Sequence, residues 1–287
     1  MAWLSQPLFR FAPSPNGRLH LGHAYSALFT LHLAERLGGI FLLRIEDIDT
    51  ARCKPEFTEA IFEDLHWLGL RWPEPAWRQS ARFEVYKSAA NDLRDRGLLY
   101  PCFCTRAEIA AAATRTDPDG APLYPGTCRH IGTDEAARRI AAGQPAQWRL
   151  DMDAATEWTG PLAISEMHPD DGKIEERPAD PARWGDVVLV RKDTPTSYHL
   201  SVVIDDSAQA ITHVTRGRDL YAATDVHRLL QALFGLHSPL YCHHDLITDD
   251  EAAKLSKSRG SPTLADMREA GWTATAIRTR LGFGPSS

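Results

Sequence analysis

The 287-residue sequence is short of several things, and each scarcity narrows what the protein can be. No apolar run approaches the ~18–20 residues of a bilayer-crossing helix, so a membrane protein is not expected. Met1-Ala2-Trp3-Leu4 leads into a strand-like stretch, without the basic and apolar regions of a secretory leader, so the expected compartment is the cytoplasm. Cysteines number five, an odd count that argues against a disulfide framework. Cations are the minority: 32 Lys and Arg against 38 Asp and Glu leave a net charge of −6, which argues against a general nucleic-acid binder. Internal repeats and long low-complexity tracts are also missing.

What is there reads as a globular α/β protein. Leu8–Ala12 predicts a short buried strand, and Pro13-Ser14-Pro15-Asn16-Gly17 forces a turn. Leu21, Ala24, Leu28, Leu31 and Leu37 then recur at helical spacing, Gly38-Gly39 supply the stop, and Ile40–Ile45 predicts a second strand. Strand, turn, helix and strand in about forty residues form a βαβ unit, which belongs to a parallel sheet. Phe57, Ile61, Leu65 and Leu68 mark another helix, and residues 82–97 a third. From Tyr100 the texture changes to clustered cysteines, alanine-rich stretches and many prolines. Strand-like runs resume at Val187–Val190, Tyr198–Ile204 and Ile211–Val214, followed by a helix near 225–234 and two short ones near 264–270 and 274–281. The expected division is residues 1–99 and 187–245 as two halves of one α/β domain, 100–186 as an insertion, and 246–287 as a loop with a helical C-terminal segment.

Two motifs carry the chemistry. His20-Leu21-Gly22-His23 sits where a turn enters a helix, and a helix N-terminus attracts phosphate through its unpaired amides and dipole. Gly22 leaves room for a close ligand, and the two imidazoles offer donors; alternatively, His20 and His23 only cap the helix. Lys254-Leu255-Ser256-Lys257-Ser258 places two ammonium groups in a polar loop, where they could follow charge developing on a transferring phosphate. Residues 254–287 hold six basic residues against two acids, a focused phosphate contact or simply a solvated face.

The run from Arg10 to His23, then Leu43-Arg44-Ile45-Glu46-Asp47-Ile48-Asp49, Thr212-His213-Val214-Thr215-Arg216-Gly217 and Lys254–Ser258, resembles the catalytic domain of class I glutamyl-tRNA synthetases over about residues 8–265. The two motifs match that family's HIGH and KMSKS signatures. Asn16 stands where the family more usually has Thr, and Leu255 where it has Met. The anticodon-binding part that full-length glutamyl enzymes carry after the second motif does not follow here. In this the sequence is most similar to the glutamyl-queuosine tRNA(Asp) synthetase family. The resemblance implies a Rossmann-type parallel sheet with an inserted, zinc-bearing, acceptor-binding-like subdomain. It implies ATP-dependent activation of L-glutamate, with Mg²⁺, without tRNA, and transfer to queuosine at the wobble position of tRNA(Asp) by a cytoplasmic monomer. By carry-over, Arg10, Phe11, Ala12, Pro13, Ser14, Glu46, Tyr198 and Arg216 bind glutamate. His20, Gly22, His23 and Lys257 bind ATP, and His20, His23, Lys254 and Lys257 act in catalysis.

Side-chain chemistry agrees, because a dicarboxylate with an ammonium group calls for an arginine fork and an acid. A surface ion pair is the plainer alternative for Arg216, and an ion pair with a nearby arginine for Glu46. Among function classes, a minimal glutamyl-tRNA synthetase charging a tRNA 3′ end, a small-molecule nucleotidyltransferase, and a non-catalytic RNA-binding paralogue remain to be separated. Cys102, Cys104 and Cys128 make a three-thiolate set that needs one more ligand for tetrahedral zinc. His130 is the choice of ligand chemistry alone, and Tyr124 the choice that the resemblance implies. Cys53 and Cys242 have no spacing partner.

Overall fold

A computed structural model describes residues 6–247 and 262–284. Lys254 and Lys257 lie outside the described residues. In chain order the elements are β1 (Leu8–Phe11), α1 (Leu21–Arg36), β2 (Ile40–Ile45), α2 (Pro55–Trp67), β3 (Trp77–Arg78), α3 (Phe83–Asp95), β4 (Leu99–Cys102), α4 (Arg106–Ala112), α5 (Thr133–Ala141) and β5 (Gln147–Leu150). They continue with α6 (Met152–Thr159), β6 (Ala163–Met167), β7 (Ile174–Pro178), β8 (Val188–Val190), α7 (Tyr198–Ala208), β9 (His213–Gly217), α8 (Ala223–Leu233), β10 (Leu240–His244), α9 (Leu264–Glu269) and α10 (Ala274–Arg280). No described helix is long and apolar enough to cross a membrane.

The large sheet runs β3-β2-β1-β9-β10-β6-β7. Its pairs are parallel except β6–β7. Parallel strands buried on both faces read as continuous apolar runs, which is why Ile40–Ile45 was legible as a strand. Strand order reverses between β1 and β9, the kind of switch point where open α/β sheets bind ligands beyond the carboxyl ends of their strands. Phe9, Phe11, Leu28, Leu33, Ile45 and Leu65 form the core on the α1–α2 side, and Leu264, Met267, Ile277 and Leu281 of the C-terminal helices pack into the same core.

Two expectations need correction. Tyr198–Ile204 is helical, the start of α7, not a strand. A short apolar run buried nearly all round shows no period, and the deciding signal is Ser197, whose hydroxyl accepts the Leu200 N–H as a helix cap. The strands around the cysteine-bearing segment also distribute differently from a simple insertion. β4, β5 and β8 form a separate three-stranded antiparallel sheet, so Val188–Val190 does not re-enter the large one. Within 100–186, β6 and β7 extend the large sheet instead, where Ile164 of β6 joins the buried cluster of Ile211, Val214 and Tyr241.

Candidate active site

A cavity of about 610 Å³ opens at the carboxyl ends of β1, β2, β9 and β10. Arg10, Phe11, Ala12, Pro13 and Ser14 form one wall, and Glu46, Tyr198, Arg216, His20, Gly22 and His23 also line it. Every sequence-derived glutamate and ATP residue within the described chain therefore faces one space. The wall is fixed by backbone: the Glu46 N–H donates to the Pro13 carbonyl at 3.0 Å, tying the segment after β1 to the end of β2.

The start of α1 answers how the HxGH tetrapeptide is used locally. His20 is the N-cap; its Nδ1 accepts the Gly22 N–H at 3.1 Å, and His23 Nδ1 accepts the His20 N–H at 3.2 Å. This reciprocal cap takes up the Gly22 amide and stabilises the helix start by about 1 kcal/mol. With Nδ1 of each ring accepting, a neutral imidazole carries its proton on Nε2. The capping and phosphate-binding readings thus call on different nitrogens. A Cβ at Gly22 would come within 3.1 Å of the His20 ring, so this glycine makes room for the cap as well as lining the cavity. Thr263, just beyond the Lys254–Ser258 motif, forms a β-bridge with His20, and Ile247, on the motif's other side, lines the cavity.

The charged floor is built from residues far apart in the chain. Arg10, only 5% exposed, grips Asp206 with Nε and a terminal nitrogen at 2.9 and 3.2 Å, and donates to the Thr215 carbonyl. Fully buried Arg44 donates to the same Asp206 at 2.8 Å and to Glu46 at 3.1 Å. Burial opposes ionisation of Asp206, but the two guanidiniums hold its carboxyl below the usual range. For Glu46 the balance goes the other way: burial dominates and raises it despite Arg44 and Arg10.

Arg216, 4% exposed at the end of β9, is set differently. Its nitrogens meet His227 Nδ1 at 2.9 Å, His243 Nε2 at 3.3 Å and the Thr224 hydroxyl, and its guanidinium lies 5.1 Å from the centre of the Tyr241 ring. Among the described residues no carboxylate pairs with it. Burial, reinforced by the Arg216 charge, drives His243 down to about 2 and His199 to about 4, and puts His227 well below the ordinary imidazole value. These rings are neutral at physiological pH.

Other lining residues were not picked out from the sequence: Tyr25, Ser26, Asp219, His244 and Leu246. His244 Nε2 lies 3.0 Å from the Ser26 hydroxyl, joining β10 to α1. The available signal was the apolar-to-histidine run Leu240–His244, a buried parallel strand ending at the cavity. Beside Arg216, a Cβ on Gly217 would fall 2.5 Å from an Asp219 oxygen and 2.8 Å from Leu246, so a larger residue there would displace these two side chains at the cavity's edge.

Away from the cavity, the sulfurs of Cys102, Cys104 and Cys128 lie within 4.8 Å of one another. The buried Tyr124 oxygen accepts the Cys128 N–H at 2.7 Å, and Arg149 lies 3.9 Å from the centre of the Tyr124 ring. Burial opposes thiolate formation at Cys102, yet hydrogen bonds from Tyr124 and Arg149 bring it down to about 7. His130 is exposed and does not join the cluster. Three convergent soft donors and a phenol oxygen suit a closed, tetrahedral, structural zinc site.

Comparison with known proteins settles the family. A family model described as tRNA synthetases class I (E and Q), catalytic domain, matches residues 8–284. The chain belongs to that family. It is 45% identical over 281 residues to a Rhodobacter capsulatus protein named glutamyl-Q tRNA(Asp) synthetase, covering 96% of this chain and 99% of that one. A glutamate–tRNA ligase from a Synechococcus species is 39% identical, but this chain covers only 58% of its length. The solved glutamate–tRNA synthetase of Elizabethkingia anophelis superposes with a TM-score of 0.78 at 28% identity, covering 96% of this chain and 61% of that one.

Proposed function

We propose that this protein activates L-glutamate with ATP in the absence of tRNA, and transfers the glutamyl group to queuosine at the wobble position of tRNA(Asp). The observation that carries the reading is Arg216: a buried cation with neutral partners, facing the cavity entered by the capped HxGH helix. Such a charge, set against the substrate's side chain, is paired by the carboxylate of glutamate and left unpaired by the carboxamide of glutamine. That asymmetry separates glutamate from glutamine by several kcal/mol at a buried site. Near-full-length similarity to proteins named glutamyl-Q tRNA(Asp) synthetase supports the choice of acceptor.

In the first step an α-carboxylate oxygen of glutamate attacks the α-phosphorus of ATP, and the bond to pyrophosphate breaks, giving glutamyl-adenylate. The nucleophile is already ionised, so no general base is required, and catalysis is positioning and charge stabilisation. Arg216 anchors the amino acid, and Glu46 receives its ammonium group. His20 and His23 present Nε2–H to the phosphates, and Lys254 and Lys257 counter the charge that develops there; Mg²⁺ carried by the triphosphate would add charge neutralisation. In the second step a queuosine hydroxyl attacks the activated carbonyl and AMP leaves. Cys102, Cys104, Cys128 and Tyr124 would hold a zinc of structural role, and the enzyme works as a cytoplasmic monomer.

The first step is tested by glutamate-dependent exchange of labelled pyrophosphate into ATP. Exchange without any tRNA is expected. Exchange that starts only when tRNA is added would point instead to a synthetase charging the 3′ end.

A further inference from the structure

The partners of Arg216 form a chain with a single polarity. A guanidinium can only donate, so His227 Nδ1, 2.9 Å away, must accept, which places the His227 proton on Nε2. That nitrogen lies 3.2 Å from His199 Nδ1, which must accept in turn. His227 is 2% exposed on α8, and His199, half-buried at the start of α7, makes a T-shaped contact with Trp184. On the other side, His243 Nε2 faces Arg216 and its Nδ1 points to Glu166, 3.6 Å away, which is itself held by Arg177. The contrast with Arg10 is one of charge: the same fork, in the same cavity, is there gripped by a carboxylate.

We propose that His227 is a specificity-determining positioning residue: its acceptor nitrogen, oriented by His199, fixes the Arg216 fork without cancelling its charge, so that a carboxylate and not a carboxamide completes the pocket. The proposal rests on the glutamate-activating reading above and assigns the source of its selectivity. A hydrogen-bond acceptor at this position is needed for geometry, and neutrality is needed for choice. An anionic acceptor would hold the fork equally well and leave nothing for the substrate.

The test is pyrophosphate exchange with glutamate and with glutamine, using wild type, His227→Ala, His227→Gln and His227→Glu. Protection by ATP against thermal unfolding is measured for each as a check on folding. Removing the acceptor in His227→Ala is expected to raise the KM for glutamate about tenfold or more while leaving the KM for ATP within about twofold. His227→Gln, whose amide accepts at one atom and donates at the other, is expected to recover most of that loss. His227→Glu is expected to cut the preference for glutamate over glutamine by about tenfold or more. Wild-type preference in His227→Glu overturns the proposal. So does a His227→Gln variant as impaired as His227→Ala while still protected by ATP, and that pair decides the matter if the glutamate variant does not fold. A wild-type protein without glutamate-dependent exchange contradicts the functional reading itself.

Discussion

Arg10 and Arg216 line one cavity and are almost equally buried, yet their surroundings are opposite. Arg10 belongs to a run of alternating charge, Arg10–Asp206–Arg44–Glu46, in which each cation has an acid. Arg216 sits among imidazoles, a hydroxyl and an aromatic face. The first arrangement is internally complete and holds the floor in shape. The second has no acid of its own among the described residues. A buried arginine is therefore evidence for an anionic ligand only when its partners are counted, and here the count sets Arg10 as scaffold apart from Arg216, the selector we propose.

The comparison can be broken from either side. Asp206→Ala leaves two buried guanidiniums without their shared acid, so a loss of about 3–5 kcal/mol in unfolding free energy is expected by denaturant titration. A loss below 1 kcal/mol would mean that Arg10 and Arg44 readily find other partners. Arg216→Ala should leave stability nearly intact but lower kcat/KM for glutamate at least about 100-fold, roughly 3 kcal/mol, in pyrophosphate exchange. Arg216→Lys should rescue little, since a point charge cannot reproduce the fork. Near-normal exchange in either variant would remove Arg216 from the account.

Asp64 sharpens the contrast as a buried acid outside the cavity lining, its nearest cation Arg268 being 3.7 Å away. Burial raises its carboxyl to about 6, with Arg268 opposing. The folded state thus holds this proton more tightly than the unfolded chain, and stability is lost as pH rises from about 4 through 6. On that basis wild type should lose on the order of 2 kcal/mol between pH 4 and 7 that Asp64→Asn does not lose. Parallel stability–pH curves for the two proteins would contradict this. The smallest effect is expected at the cysteine cluster: Tyr124→Phe should weaken zinc retention about tenfold against a chelator, and His130→Ala should not change it. Equal zinc content in wild type and the tyrosine variant would exclude the phenol as a ligand.

The sequence was most legible where a signal is local. The β1–α1–β2 unit could be read from apolar spacing and from the glycines that end the helix, and the HxGH tetrapeptide from its place at a helix start. Residues such as Arg216 and Tyr198 stood out only through family resemblance, since one arginine in a strand looks like any other. Asp206 could not be foreseen, because its pairing with Arg10 spans 196 residues and forms only when the folded chain brings a side chain of β1 to one of α7. The histidine cradle was hidden for the same reason: His199, His227 and His243 come from α7, α8 and β10, which meet only in the folded chain. Tyr198–Ile204 was misread because full burial erases periodicity, leaving a single capping serine to mark the helix.

The most direct test is incubation of the wild-type protein with labelled glutamate and ATP, supplied with tRNA(Asp) that carries or lacks queuosine. Label bound only to the queuosine-containing tRNA, and lost when periodate has first cleaved the queuosine diol, is the predicted result. Label at the 3′ end of either tRNA, or on neither, contradicts the account.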